Sequence, residues 1–226
     1  MDNIISVAID GPAAAGKSTV AKKVANALGF TYIDTGAMYR AFTYAVISKG
    51  LDPQSEMLSN SLIGEVSIDL LDDGRVLCNG EDVTRQIREP LISGNVSYIA
   101  SYKEIRLALV EMQRAMASSR SVVMDGRDIG TYVLPDAQVK IYQIASVETR
   151  AVRRYEENLA KGIPTTLEDV MEDVRKRDYI DSHRSFAPLK PAPDSVLLDT
   201  SHMSVDEVVE NVLRIIKEKT GVGAKC

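Results

Sequence analysis

Residues Gly11 to Ser18 read Gly-Pro-Ala-Ala-Ala-Gly-Lys-Ser, a glycine-bounded loop followed at once by a lysine and a hydroxyl. The apolar run Ile4 to Ile9 before the loop has strand character. Val20, Val24 and Leu28 after it recur at i, i+4 and i+8, the stripe of an amphipathic helix. Strand, loop and helix in that order constrain the fold to one that begins with a parallel βαβ unit. They also constrain its chemistry. Glycines let the main chain approach a polyphosphate, several N–H groups converge on one anion, and the helix start adds its positive end. Lys17 can reach the β- and γ-phosphates, and the Ser18 hydroxyl can ligate a bridging Mg²⁺. Residues Gly11, Pro12, Ala13, Ala14, Ala15, Gly16, Lys17, Ser18 and Thr19 are therefore expected to hold a nucleoside triphosphate.

The rest of the chain sustains the alternation. Phe30–Ile33, Ser121–Met124, Val139–Ile144 and Val196–Leu198 are short apolar runs separated by helical patterns, which predicts a parallel sheet covered on both faces. Ser101 to Glu104 and Ser204 to Glu207 both carry the Ser-x-x-Glu capping-box pattern. Each opens a helix: Ile105, Leu109, Met112 and Met116 line one, and Val208, Val212 and Ile215 or Ile216 the other. The methionines at that spacing read as core. Two stretches interrupt the rhythm. Within residues 62–90, alternating apolar positions flank Asp72-Asp73-Gly74, with a second turn at Asn79-Gly80, which predicts an inserted antiparallel hairpin. Residues 148–190 are charged and helical, broken at Lys161-Gly162-Ile163-Pro164, and suit a mobile basic lid that excludes water.

Composition narrows the class. With 226 residues, 45% hydrophobic and 26% charged, the chain is an ordinary globular protein of one large domain. A net charge of −5 argues against nucleic-acid binding. Cys78 and Cys226 are too few and too far apart for a disulfide framework, the acidic N-terminus is no secretory signal, and no apolar stretch reaches the ~20 residues of a membrane span. A cytoplasmic enzyme, without nucleic-acid or membrane partners and monomeric, is the expectation.

A phosphate-binding loop alone does not choose between GTPases, ATPases and kinases. Asp34-Thr35-Gly36-Ala37-Met38-Tyr39-Arg40 follows the second strand directly, and Asp125-Gly126-Arg127-Asp128-Ile129-Gly130-Thr131 closes the third. Strand ends in such sheets face the ligand crevice, so both runs border the phosphates. Asp34 could equally cap a helix, with Arg40 on the surface. Asp125 stands where an acid orients Mg²⁺ through its waters. Arg150, Arg153 and Arg154 share a helix, and Arg177, Asp181 and Arg184 are spaced i, i+4 and i+7 on one helical face. No Asn-Lys-x-Asp base-reading motif of a GTPase is present. Arginines in such number suit transfer between two polyanions, whose repulsion must be cancelled. A phosphate acceptor is already ionised near neutrality, so no catalytic histidine is required. The only histidines, His183 and His202, lie in polar stretches. A kinase of a small polyol and a nucleotide-hydrolysing regulatory module remain alternatives on residue types alone.

The two long runs, with Ile9-Asp10-Gly11-Pro12 and Leu134-Pro135-Asp136-Ala137, resemble the bacterial cytidylate kinase family, and the resemblance spans essentially the whole chain. It implies a P-loop α/β core, a nucleoside-monophosphate-binding insert over about residues 37–110 containing a small antiparallel β element, and a helical lid over about 150–180. It also implies transfer of the ATP γ-phosphoryl to CMP or dCMP with Mg²⁺ held by Ser18 and, through water, Asp125. On matching positions, Arg40, Arg127 and Arg184 would hold the CMP phosphate beside Thr35. Ser97, Arg106 and Asp128 would read cytosine, and Arg177 and Asp181 would meet the ribose. Lys17, Arg127, Arg153, Arg154 and Arg184 would stabilise the transferring group. The exocyclic amine of cytosine donates to a carboxylate, whereas uracil presents a carbonyl there, which gives Asp128 a physical basis for selection.

Overall fold

A computed structural model describes residues 4–160 and 162–224. Lys161 and Cys226 lie outside the described residues. Five parallel strands form the central sheet: β1 (Ser6–Asp10), β2 (Thr31–Asp34), β6 (Val122–Gly126), β7 (Val139–Ile144) and β8 (Val196–Asp199), in the order β2-β6-β1-β7-β8. Register is set by Ile9 opposite both Asp125 and Ile141, and by Asp34 opposite Asp125. The polar ends of β1, β2 and β6 therefore finish side by side. Crossovers leave β1 toward β2 on one side and return toward β7 on the other, and the crevice between such crossovers is where this topology binds ligands.

Alternation along β1 sorts the core. Val7 and Ile9 pack with Val20, Val24 and Leu28 of α1 (Lys17–Leu28) and with Val208, Val212, Ile215 and Ile216 of α8 (Val205–Thr220). Ala8 faces the other way, toward Met124, Ile129 and Val110 of α5 (Lys103–Ala117). All four named α8 positions are buried, which settles Ile215 and Ile216 together. Ser204 makes the expected reciprocal capping box with Glu207.

The 101 box does not form. The Ser101 hydroxyl instead donates to the Tyr98 carbonyl at 2.6 Å, and Tyr102 is the N-cap of α5 with no side-chain cap. Three residues separate α4 (Pro90–Ile99) from α5, so the serine is captured by the preceding helix end.

Between β2 and α5 lie α2 (Thr35–Ser48), the short α3 (Glu56–Asn60), a three-stranded antiparallel sheet and α4. β3 (Ile68–Leu70) and β4 (Val76–Cys78) pair around the Asp-Asp-Gly turn as expected. β5 (Glu81–Asp82) adds a two-residue strand that the pattern of the sequence does not announce. The inner face of β3 and β4, with α2, α4 and α5, encloses a separate apolar cluster that includes Met38, Phe42, Ile87 and Leu109; Met112 and Met116 pack at its edge. α6 (Val147–Ala160) and α7 (Leu167–His183) form the charged helical pair, joined through Ala151, Val170 and Val174. Among the described residues, no helix is long and apolar enough to cross a membrane.

Candidate active site

The loop after β1 is shaped by what surrounds it. A Cβ on Gly11 would lie 2.0 Å from the Gln143 carbonyl oxygen, so no other residue fits there. Gln143, buried on β7, donates to the Ala15 carbonyl at 2.6 Å. The start of α1 carries Gly16 at its N-cap, no side-chain cap and no acidic residue in its first turn. Its positive end therefore has no anion of its own. Lys17 is buried and donates to the Pro12 carbonyl at 2.7 Å. Burial, and after it the neighbouring Arg127, brings its ammonium from 10.5 down to about 7. A cation held so unfavourably is matched by an incoming polyphosphate.

Beside it, Asp125 at the end of β6 accepts from the Ser18 hydroxyl at 2.9 Å and from the Tyr32 phenol at 2.8 Å. Burial, with Asp34 nearby, raises the Asp125 carboxyl above its usual range. Among the described residues no group of three or more His, Cys, Asp or Glu is placed to hold a metal ion by itself. A metal ion here would rest on one hydroxyl and one carboxylate, completed by phosphate oxygens and water. Mg²⁺ prefers that hard oxygen set, so the residues fit it. Gly126 allows the packing that follows: a Cβ there would stand 2.8 Å from the Thr35 hydroxyl oxygen and 2.7 Å from Ile129.

Arg40 does not lie on the surface, but Asp34 serves as a helix cap as well as lining the cleft at the strand ends. It caps α2 by accepting from the Ala37 amide at 2.7 Å, and it pairs with Arg40 at 3.3 Å and Arg88 at 3.0 Å. Burial raises its carboxyl, but the two guanidinium groups outweigh that and leave it below the ordinary value. Arg40 is not a surface residue; burial lowers it to about 10.

A second cluster sits where α4, α7 and the turn after β6 meet. Thr35, Arg40, Ser97, Arg106, Arg127, Asp128, Arg177, Asp181 and Arg184 line one small cavity of about 50 Å³. Asp128 is buried between Arg106 and Arg184, the latter at 3.1 Å, and Arg127 donates to Asp181 at 2.8 Å. Arg184 lies one residue beyond the end of α7, in extended backbone, yet reaches the same cavity as Arg177 and Asp181. Burial and then Arg127 lower Arg177. The Nε atoms of Arg40, Arg106 and Arg177 are buried without a partner. Buried donors rarely stay unpaired, so the cluster is short of acceptor oxygens.

The larger cleft, about 630 Å³, runs from the loop and Asp125 to Thr200, Met203, Val205 and Val208. Arg40, Arg127 and Arg177 line both cavities and form their common wall. The volume suits a nucleotide. The smaller cavity, at about 50 Å³, does not.

The sequence of this chain matches the family model described as cytidylate kinase over residues 7–218. The chain belongs to the cytidylate kinase family. A cytidylate kinase of Geobacillus kaustophilus is 52% identical over 224 residues, 98% of this chain and all of that protein. Another from Oceanobacillus iheyensis is 50% identical over 219 residues, covering 96% and 95%. Solved structures share the fold at low identity. An uncharacterized protein of Eubacterium ventriosum has a TM-score of 0.56 at 15% identity, covering 96% of this chain and 99% of that one. A gluconokinase of Sinorhizobium meliloti has 0.51 at 14%, covering 95% and 92%.

Most of the expected site residues converge on the two cavities. Arg153 and Arg154 border the larger one, but Arg153 donates to the Thr200 carbonyl at 2.7 Å, at the end away from the loop, and Arg154 pairs with Glu157. Arg150, grouped with them by sequence, is buried and donates to the carbonyls of Ala13 and Ala145 and to Asp178. It braces the loop. The residue patterns did not reveal Tyr32, Arg88, Gln143 or Asp178, because each acts through a partner distant in sequence.

Proposed function

We infer that this enzyme is an ATP-dependent kinase of CMP, with dCMP as a second acceptor, and that the two cavities are the donor and acceptor halves of one site. The observation that carries this is their shared wall: Arg40, Arg127 and Arg177 border both. A phosphoryl group passing between two polyanions needs cations there, and little else from the protein.

The donor triphosphate would take the loop amides and the open start of α1, with its base toward Thr200 and Met203 beside Arg153. Lys17 would leave the Pro12 carbonyl for the phosphates, regaining full charge as it does so. Ser18 and, through water, Asp125 would hold Mg²⁺, which would supply positive charge beside the phosphates. Tyr32 and Ser18 fix the orientation of that carboxylate. On the acceptor side Arg40, Arg127 and Arg184 would hold the CMP phosphate beside Thr35, and Asp181 and Arg177 the ribose. Ser97, Arg106 and Asp128 would read the base. Asp128 accepts from Arg106 and Arg184, and its carboxylate oxygens would favour the cytosine amine over the uracil carbonyl. The helices α6 and α7 would act as a lid, bringing Arg154 toward the transferring group and excluding water. The acceptor phosphate, ionised near neutrality, needs no base. A cytoplasmic monomer is the expected form.

The test is ADP release with CMP, UMP, AMP or no acceptor. Fast turnover with CMP, slower with UMP and near silence without acceptor is expected. Comparable turnover on AMP, or brisk hydrolysis with no acceptor, contradicts the reading.

A further inference from the structure

Asp10, at the end of β1, is 4% exposed, and none of the site chemistry above uses it. Its charge is met by two backbone amides rather than by an ion pair: Oδ1 accepts from Ile129 at 2.8 Å and Oδ2 from Gly130 at 2.7 Å. Burial raises its carboxyl to about 7. A buried carboxylate without a paired cation is unfavourable, and calls for a reason.

Those amides open the π-helical turn Ile129–Val133, whose N-cap residue is Asp128. A carboxylate at that position ordinarily folds back onto the second or third amide of its own helix. Here the Asp128 side chain makes no cap bond. It is turned onto Arg106 and Arg184 in the acceptor cavity. Asp10, reaching across from β1, holds the first amide and occupies the second, Gly130, which Asp128 would otherwise take. The seat is tight on the far side too. A Cβ on Gly130 would stand 3.2 Å from the Lys140 side chain and 3.4 Å from the Asp10 carboxylate. Lys140 is itself fixed by Asp194 at 2.8 Å.

We propose that Asp10 is a positioning residue for base selection: by capping the turn in place of Asp128, it frees and aims the carboxylate that reads cytosine. The inference rests on the base-reading role given to Asp128. Because Gly11 follows Asp10 directly, one strand end sets both the phosphate loop and the base reader. The acceptor pocket is thereby held in register with the donor.

Asp10→Asn keeps the shape but offers one acceptor oxygen and an amine that repels the second N–H. The expected result is a fall of about tenfold in the ratio of kcat/KM for CMP to that for UMP, since small misplacements at a binding site carry losses of that order. KM for CMP should rise while KM for ATP stays within about twofold. A merely structural residue would lower the melting temperature and both acceptors' rates together. An unchanged CMP-to-UMP ratio in folded Asp10→Asn overturns the proposal. If that variant does not fold, Gly130→Ala, which crowds the same contact from the Lys140 side, is measured instead; there too a lowered ratio supports the proposal and an unchanged one overturns it. Asp128→Asn is run alongside. If it keeps the CMP preference, the base-reading role fails and this proposal with it. If it loses the preference while Asp10→Asn keeps it, the proposal alone fails.

Discussion

Replacing Lys17 with methionine should stabilise the unliganded enzyme while removing its activity. A fall from 10.5 to about 7, at about 1.4 kcal/mol for each tenfold change in proton affinity, corresponds to roughly 4 kcal/mol of disfavoured charge at neutral pH. The hydrogen bond to Pro12 gives back about 1 kcal/mol. Lys17→Met should therefore raise unfolding stability at pH 7 by about 3 kcal/mol, read by urea denaturation without nucleotide. The sign with pH is fixed. The native state binds fewer protons than the unfolded chain between about pH 7 and 10.5, so this part of the wild-type stability rises across that window and the variant lacks the rise. Bound ATP should stabilise wild type far more than the variant. Turnover should fall by at least about a hundredfold, as for other lost charge-stabilising groups. A variant less stable than wild type at pH 7 without nucleotide refutes the argument that the site is strained by unmatched cations.

Gly11→Ala puts a carbon 2.0 Å from the Gln143 carbonyl; a lowered melting temperature with loss of ATP binding is expected, at a cost of about 3 kcal/mol. Arg153→Ala should raise KM for ATP and leave KM for CMP unchanged, because its guanidinium lies at the Thr200 end of the cleft. Burial opposes the ionised form of Asp181, but Arg127, Arg184 and Arg177 hold its carboxyl below 3.8. Its stabilisation is therefore present above pH 3.8 and lost as pH falls below that, so the melting-temperature gap between wild type and Asp181→Asn should close in acid. Chelating Mg²⁺ with EDTA should abolish turnover yet leave the thermal shift produced by CMP intact, since Ser18 and Asp125, proposed to hold the metal, line only the larger cleft.

The parts legible in the sequence are those whose signal is local. Val20, Val24 and Leu28, or Val208 and Val212, announce their helices because burial repeats with the helical period. The phosphate loop is legible because its backbone needs fix its residue types. Contacts between strands leave no such trace. Tyr32 and Asp125 are 93 residues apart, and Asp178, which accepts from the Ala13 amide at 2.9 Å, is 165 away. A tyrosine in an apolar strand reads as packing, and an aspartate on a charged helix reads as surface. Only register and topology bring them to the site. The 101 box failed for the opposite reason: a sound local pattern was overruled by the helix end next to it.

The central claim, two nucleotides meeting at one arginine wall, is tested most directly by a crystal structure with CMP and a non-hydrolysable ATP analogue. The account predicts the CMP phosphate on Arg40, Arg127 and Arg184, the cytosine amine donating to Asp128, and the analogue's γ-phosphate at Lys17 facing the acceptor. CMP bound at the Thr200 end of the cleft, or with its base away from Asp128, would contradict it.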